Sequence, residues 1–177
     1  MTRILVAAAL AGAAVVAAIA LLLVRWPGDL GSYGNWVGAT QRLGEPLAVG
    51  SITIENRSSR ALVIDAVRLA SPDGVSFLGA LVAPSSSVAI ERRWPPAGHE
   101  RDAHAAGYRM GPHARVQLIV GAAAVVGGDS SYKGVEIDYH RSFAGVPVRL
   151  RDHVGLNVTL CVRHADRGPC SPPAPSD

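Results

Sequence analysis

The stretch Gly134–His140 constrains the fold more than any other part of the chain. Val135, Ile137 and Tyr139 alternate with Glu136, Asp138 and His140. A period of two puts the three apolar side chains on one face of a β-strand and the three polar ones on the other. The same alternation appears in Val116-Gln117-Leu118 running on to Val120, in Val146, Val148 and Leu150 around Pro147 and Arg149, and in Leu156, Val158, Leu160 and Val162 around Asn157, Thr159 and Cys161. Pro147 lacks an N–H to donate, so its strand is expected at a sheet edge. Leu47–Ile54, Ala61–Leu69, Val75–Val82 and Ser87–Arg92 are further strand candidates. Strict alternation in Ala61–Leu69 assigns Val63, Val67 and Leu69 to one face and Leu62 and Ile64 to the other. Asn56-Arg57-Ser58-Ser59, Ser71-Pro72-Asp73-Gly74 and Gly127-Gly128-Asp129 supply turn chemistry between runs. The pattern predicts an all-β protein, an antiparallel sandwich of about seven to eight strands over residues 46–163.

The amino-terminal part has a different character. Ile4–Val24 is apolar at every position except Gly12. As a helix it would be about 31 Å long, close to the roughly 30 Å of a bilayer core. Arg3 precedes it, Arg25 and Trp26 follow as interfacial residues do, and Pro27-Gly28 ends any helix. Residues 1–25 are therefore read as a transmembrane anchor, entering the membrane through residues 4–24. This places a single-pass protein in the cell membrane, with its folded domain on the extracytoplasmic side. The rival reading is a signal peptide cleaved after Ala18-Ile19-Ala20, which would leave Leu21-Leu22-Leu23-Val24 as an unusual mature terminus. Residues 26–45, rich in Gly and polar side chains, are read as a stalk. Residues 164–177, with four prolines, are read as a flexible tail.

Charge excludes one broad class. The 17 basic and 14 acidic residues are interspersed, and Arg92-Arg93 is the only adjacent basic pair. Nucleic-acid binding needs a clustered basic face, so none is expected. Cys161 and Cys170 are the only cysteines. In an oxidising compartment they could close a small disulfide loop tying the tail to the last strand, and two thiols are the alternative.

Ile52-Thr53-Ile54-Glu55-Asn56 leading into Leu62-Val63-Ile64-Asp65, and Gly134-Val135-Glu136-Ile137-Asp138-Tyr139 leading to Leu160-Cys161-Val162, give the chain a fold-level resemblance. It resembles uncharacterised membrane-anchored ectodomains of high-GC Gram-positive bacteria that carry an immunoglobulin-like sandwich. It departs from true immunoglobulin domains, because Cys161 and Cys170 are too close for an inter-sheet bridge and no Trp lies between distant cysteines. The resemblance implies no catalytic residues.

The chain has no nucleophile elbow of the Gly-x-Ser-x-Gly kind, no phosphate-binding glycine loop with its Lys and no dinucleotide fingerprint. Glu136 and Asp138 share a strand face, but the core-forming residues lie opposite, so both carboxylates are expected in water. The histidine loop 99–113 holds the candidate metal ligands His99, His104 and His113, beside Glu100, Asp102 and Met110. Imidazoles with carboxylates suit zinc, and with a thioether they suit copper. A solvated polar loop is the competing reading. The sequence thus points to a non-enzymatic binding or assembly module at the cell envelope. It would have no cofactor and an envelope protein partner, with contacts expected from Trp94–Pro112 and the outer face of Gly134–His140. The alternatives are an envelope metal-binding protein using loop 99–113 and a small envelope hydrolase.

Overall fold

A computed structural model describes residues 29–33, 37–83, 90–143 and 145–162. The described residues form two sheets. Their strands are β1 (Leu30–Tyr33), β2 (Val37–Gln41), β3 (Pro46–Asn56), β4 (Leu62–Leu69), β5 (Val75–Ala83), β6 (Ile90–Glu91), β7 (Ala103–His104), β8 (Arg109–Met110), β9 (Arg115–Ala124), β10 (Gly128–Phe143) and β11 (Val146–Val162). One sheet runs β1-β3-β9-β5-β7, with β6 also on β3, and the other runs β2-β11-β10-β4-β8. Leu47, Ile52, Ile54 and Leu118 from the first sheet pack with Leu62, Ile64, Val135, Ile137 and Tyr139 from the second in one core, all fully buried. The all-β, two-layer expectation is met. None of the described residues forms a helix long and apolar enough to cross a membrane. The expected anchor (4–24) and tail (164–177) lie outside the described residues.

Several sequence expectations need correction. The supposed stalk, residues 26–45, contains two strands, with β1 pairing antiparallel to β3 and β2 pairing to β11. Neither shows alternation, because each is held by hydrogen bonds to a longer neighbour and not by its own apolar face. The sheet is also not wholly antiparallel, since β2 runs parallel to β11. The unexpected strands are β1, β2 and the two-residue β7 and β8, which carry no period of their own, whereas β6 falls within the expected run Ser87–Arg92, of which residues 87–89 lie outside the described residues. The runs Val146–Leu150 and Leu156–Val162 are one strand, β11. Among the described residues β11 pairs with β2 only from Val158 to Val162, which leaves Pro147 on the open part of its edge, as its missing N–H requires.

Bulges reset which face each strand buries. In β4, Ala66 faces Asp138 while Ile64 faces Tyr139, so one extra residue, Asp65, intervenes. The inward set becomes Leu62 and Ile64, then Val67 and Leu69. A strict period of two cannot produce that set, and Val63 is turned away from it. In β3 the inward residues pass from Leu47 and Val49 to Ile52 and Ile54 across the irregularity at Gly50-Ser51. In β10, Gly134 sits at φ 85°. Its left-handed backbone switches the inward set from Ser130 and Tyr132 to Val135, Ile137 and Tyr139.

The central strand β9 is apolar on both faces, and the fold accounts for it. Leu118 and Val120 face the core, while Ile119 joins Ala48, Leu81 and Ala83 on the outer face beneath Trp94. The indole lies against Gly79 and Gly121, where a Cβ on Gly121 would overlap the ring. The segment after β6 therefore covers this sheet with Trp94, while most of residues 97–107 stay exposed. It is tied down by Glu91, which accepts from the Ala97 N–H at 3.0 Å, and by the Arg93–Glu100 ion pair at 2.9 Å. Gly121→Ala should lift Trp94 from the sheet and cost about 1–3 kcal/mol, the usual penalty for overpacking. A lower urea midpoint with red-shifted tryptophan emission is the expected result, and an unchanged midpoint would refute this packing.

Candidate functional site: a charged sheet face

The outer face of the second sheet follows directly from the alternation in β10. Because Val135, Ile137 and Tyr139 are wholly buried, Glu136, Asp138 and His140 must point outward. Pairing then sets their neighbours. Asp138 lies opposite Arg151, Glu136 opposite His153, and His140 opposite Arg149. On the other side, Glu136 lies opposite Arg68.

These cross-strand partners build a charge network around Asp138. Arg151 donates from Nε to Asp138 Oδ1 at 2.5 Å and from Nη2 to Oδ2 at 3.2 Å. Arg68 Nη1 donates to Oδ2 at 2.5 Å from the opposite side. Hydrogen bonds from Arg151 first, with Arg68 adding to them, hold the Asp138 carboxyl below its ordinary range against the opposing effect of desolvation. Arg151 also comes within 3.6 Å of Glu136, and the His140 ring sits 2.7 Å from Asp65.

Beside this network lies an open groove of about 610 Å³, lined by Asp65, Ala66, Arg68, Asp138, Tyr139, Arg149, Leu150 and Arg151. Its polar lining is divided unevenly. Arg68 and Arg151 share Asp138. Among the described residues no carboxylate lies within ion-pair distance of exposed Arg149. A guanidinium presents a planar fork of donors suited to a carboxylate or phosphate, so this groove can take an anionic group. Asp138, kept ionised by two arginines, is the opposite of a general acid, which needs a raised pKa.

The structure does not bring the candidate metal ligands together. His99 Nδ1 pairs with Asp102 Oδ2 at 2.6 Å in the covering segment. His104 lies on β7, facing Leu81 across the pair. His113 stands in the turn before β9 at φ 54°, and Met110 is in the core at 1% exposure. No group of three His, Cys, Asp or Glu among the described residues could hold a metal ion. His99, His104 and His113 therefore stand apart in the structure and do not form the shared ligand set that a copper or zinc site would use. The residues share a stretch of sequence, but the path from the first sheet to the second spreads them over three places. Cys161 is buried in β11 and is not a free thiol, and Cys170 lies outside the described residues.

A second polar cluster escaped the sequence reading. Asp29 and Arg141 form a buried ion pair at 2.9 Å. Tyr139 Oη accepts from the Asp29 N–H at 2.9 Å and donates to Asp152 Oδ2 at 2.9 Å, and the Leu30 N–H donates to the same carboxylate oxygen at 3.0 Å. Burial raises the Asp29 carboxyl above its ordinary pKa, Arg141 opposes this, and Asp152 adds to the rise. One signal was present, because Arg141 continues the inward phase of Val135, Ile137 and Tyr139. An arginine in that phase demands a buried partner, but nothing local names Asp29, 112 residues away.

No family model matches the chain, and none of the curated proteins does. Among solved structures it is similar to an ASH/PapD-like domain of human CEP192, at 12% identity and a TM-score of 0.40, over 78% of this chain and 87% of that one. It is also similar to a family 123 glycoside hydrolase from Clostridium perfringens, at 10% identity and a TM-score of 0.32, over 77% of this chain and 28% of that one.

Proposed function

We propose that the chain is a non-enzymatic binding or assembly module of the cell envelope, an immunoglobulin-like sandwich held at the membrane by residues 4–24 with its domain on the extracytoplasmic side. A Cys161–Cys170 bridge belongs to the same reading, since Cys161 is not a free thiol. The contact surface is the outer face of β4, β10 and β11, and its partner is an envelope protein that offers an acidic segment. One observation carries this reading. Arg149 faces an open groove without a carboxylate of its own, while the neighbouring arginines already share one. An incoming carboxylate would complete the pairing that the sheet leaves unfinished.

The test uses the full chain in detergent with fluorescent glutamate-rich and lysine-rich peptides. The acidic peptide should bind, and added salt should weaken binding, as expected for an exposed charge contact. Arg149→Glu should weaken it at least about tenfold, equivalent to about 1.4 kcal/mol. Equal binding of both peptides, or no effect of Arg149→Glu, would refute the assignment.

A further inference from the structure

The two ends of the sandwich differ, and the difference has a direction. At one end lie Asp29, the β3–β4 turn with Arg57 and Arg60, the turn before β9, and the tip of the β10–β11 hairpin. At the other end lie Arg42, Leu43, Asp73, Val125, Val126 and Asp129. Both ends expose apolar side chains, so exposure alone does not distinguish them.

Three observations do. The first is where the chain enters. The apolar run ends at Val24, five residues before Asp29, and that connection can reach no more than about 17 Å even when fully extended. Asp29 is itself held to Arg141 on β10, two residues before Phe143. The second is shape. Pairing of β10 with β4 stops at Arg141, so the hairpin tip overhangs the sheet, exposing Phe143 at 53% and Val146 at 62%. The third is charge. Arg57 and Arg60 are exposed, and neither forms an ion pair with an acid among the described residues. Arg60 instead lies over the Phe143 ring at 5.1 Å. The opposite end mixes Arg42 and Lys133 with Glu45, Asp73 and Asp129. An aromatic side chain with flanking arginines is the composition that favours an anionic lipid interface.

We propose that the Asp29 end of the sandwich rests on an anionic bilayer surface, with Phe143 and Val146 seated among the headgroups and Arg57 and Arg60 facing them. The proposal rests on the reading of residues 4–24 as a membrane anchor and adds a fixed orientation to it. The Arg149 groove would then stand beside the membrane, on the flank of the domain.

The full chain is placed in vesicles of phosphatidylcholine with phosphatidylglycerol, carrying a nitroxide at Val146→Cys or, as a control, at Val126→Cys. Both positions are exposed, so neither label disturbs the core. Contact with oxygen dissolved in lipid, relative to a water-soluble nickel chelate, should be at least about threefold higher at position 146 than at 126, and should fall in Arg57→Ser/Arg60→Ser. Retention of the chain in alkaline carbonate reports on the anchor separately. A retained chain with equal accessibility at both positions, or with lipid contact at 126, would overturn the orientation and leave the anchor standing. A chain washed off the vesicles would overturn both.

Discussion

Replacing Arg141 with methionine should cost the folded protein about 3–5 kcal/mol at neutral pH, because it strands a buried carboxylate that no longer has its cation. Asp29 and Arg141 are 6% and 9% exposed, so water offsets little of the loss. Urea unfolding of the full chain in detergent measures it. Asp29→Leu combined with Arg141→Met should recover a large share, since removing both charges removes the desolvation cost along with the attraction. The cost should also depend on pH. Burial raises the folded-state pKa of Asp29 above its ordinary 3.8. A raised carboxyl contributes stability that is present below the unfolded pKa and lost as pH rises through the folded one. Without Arg141 the carboxyl is raised further, so acidification lets it take up a proton and the penalty of Arg141→Met should shrink from pH 7 towards pH 4. A penalty that is constant across that range would mean that Asp29 is not the group left uncompensated.

Ile64→Ala should cost about 2–5 kcal/mol and Val63→Ala under about 1 kcal/mol, although the two side chains are neighbours and differ by one methylene. Ile64 is fully buried between the sheets. Val63 lies opposite His140, on the outer face, and belongs to neither buried cluster. Strict alternation predicts the reverse grouping, with Val63 beside Val67 and Leu69. The pair of substitutions therefore tests the Asp65 bulge itself. Equal costs, or a larger cost at Val63, would show that β4 runs without it.

Much of the sandwich was legible because alternation is a local property. Val135, Ile137 and Tyr139 announce their own face, and the outward Glu136, Asp138 and His140 follow from it, so half of the candidate site could be located in advance. Its other half could not. Arg68 and Arg151 meet at Asp138 only through the register of three strands, and Arg149 stands out only once its neighbours' partners are known. The histidines show the converse. His99, His104 and His113 are close in sequence, and proximity in sequence suggested a cluster, but a chain crossing between two sheets disperses what it carries. Strands such as β1, β2 and β7 had no signal to find, since their hydrogen bonds come from neighbours distant in sequence.

Sequence by itself determined that this chain builds pleated layers, where most of its long strands lie, and which side of β10 meets water, because side-chain period and turn chemistry act over a few residues. Tertiary structure decided the rest: the bulges that shift each strand's phase, the Trp94 cover that lets β9 be apolar on both faces, the Asp29–Arg141 pair and the unshared charge of Arg149. Each of these depends on which distant backbone lies alongside, and an isolated pattern of residues carries no record of its neighbours.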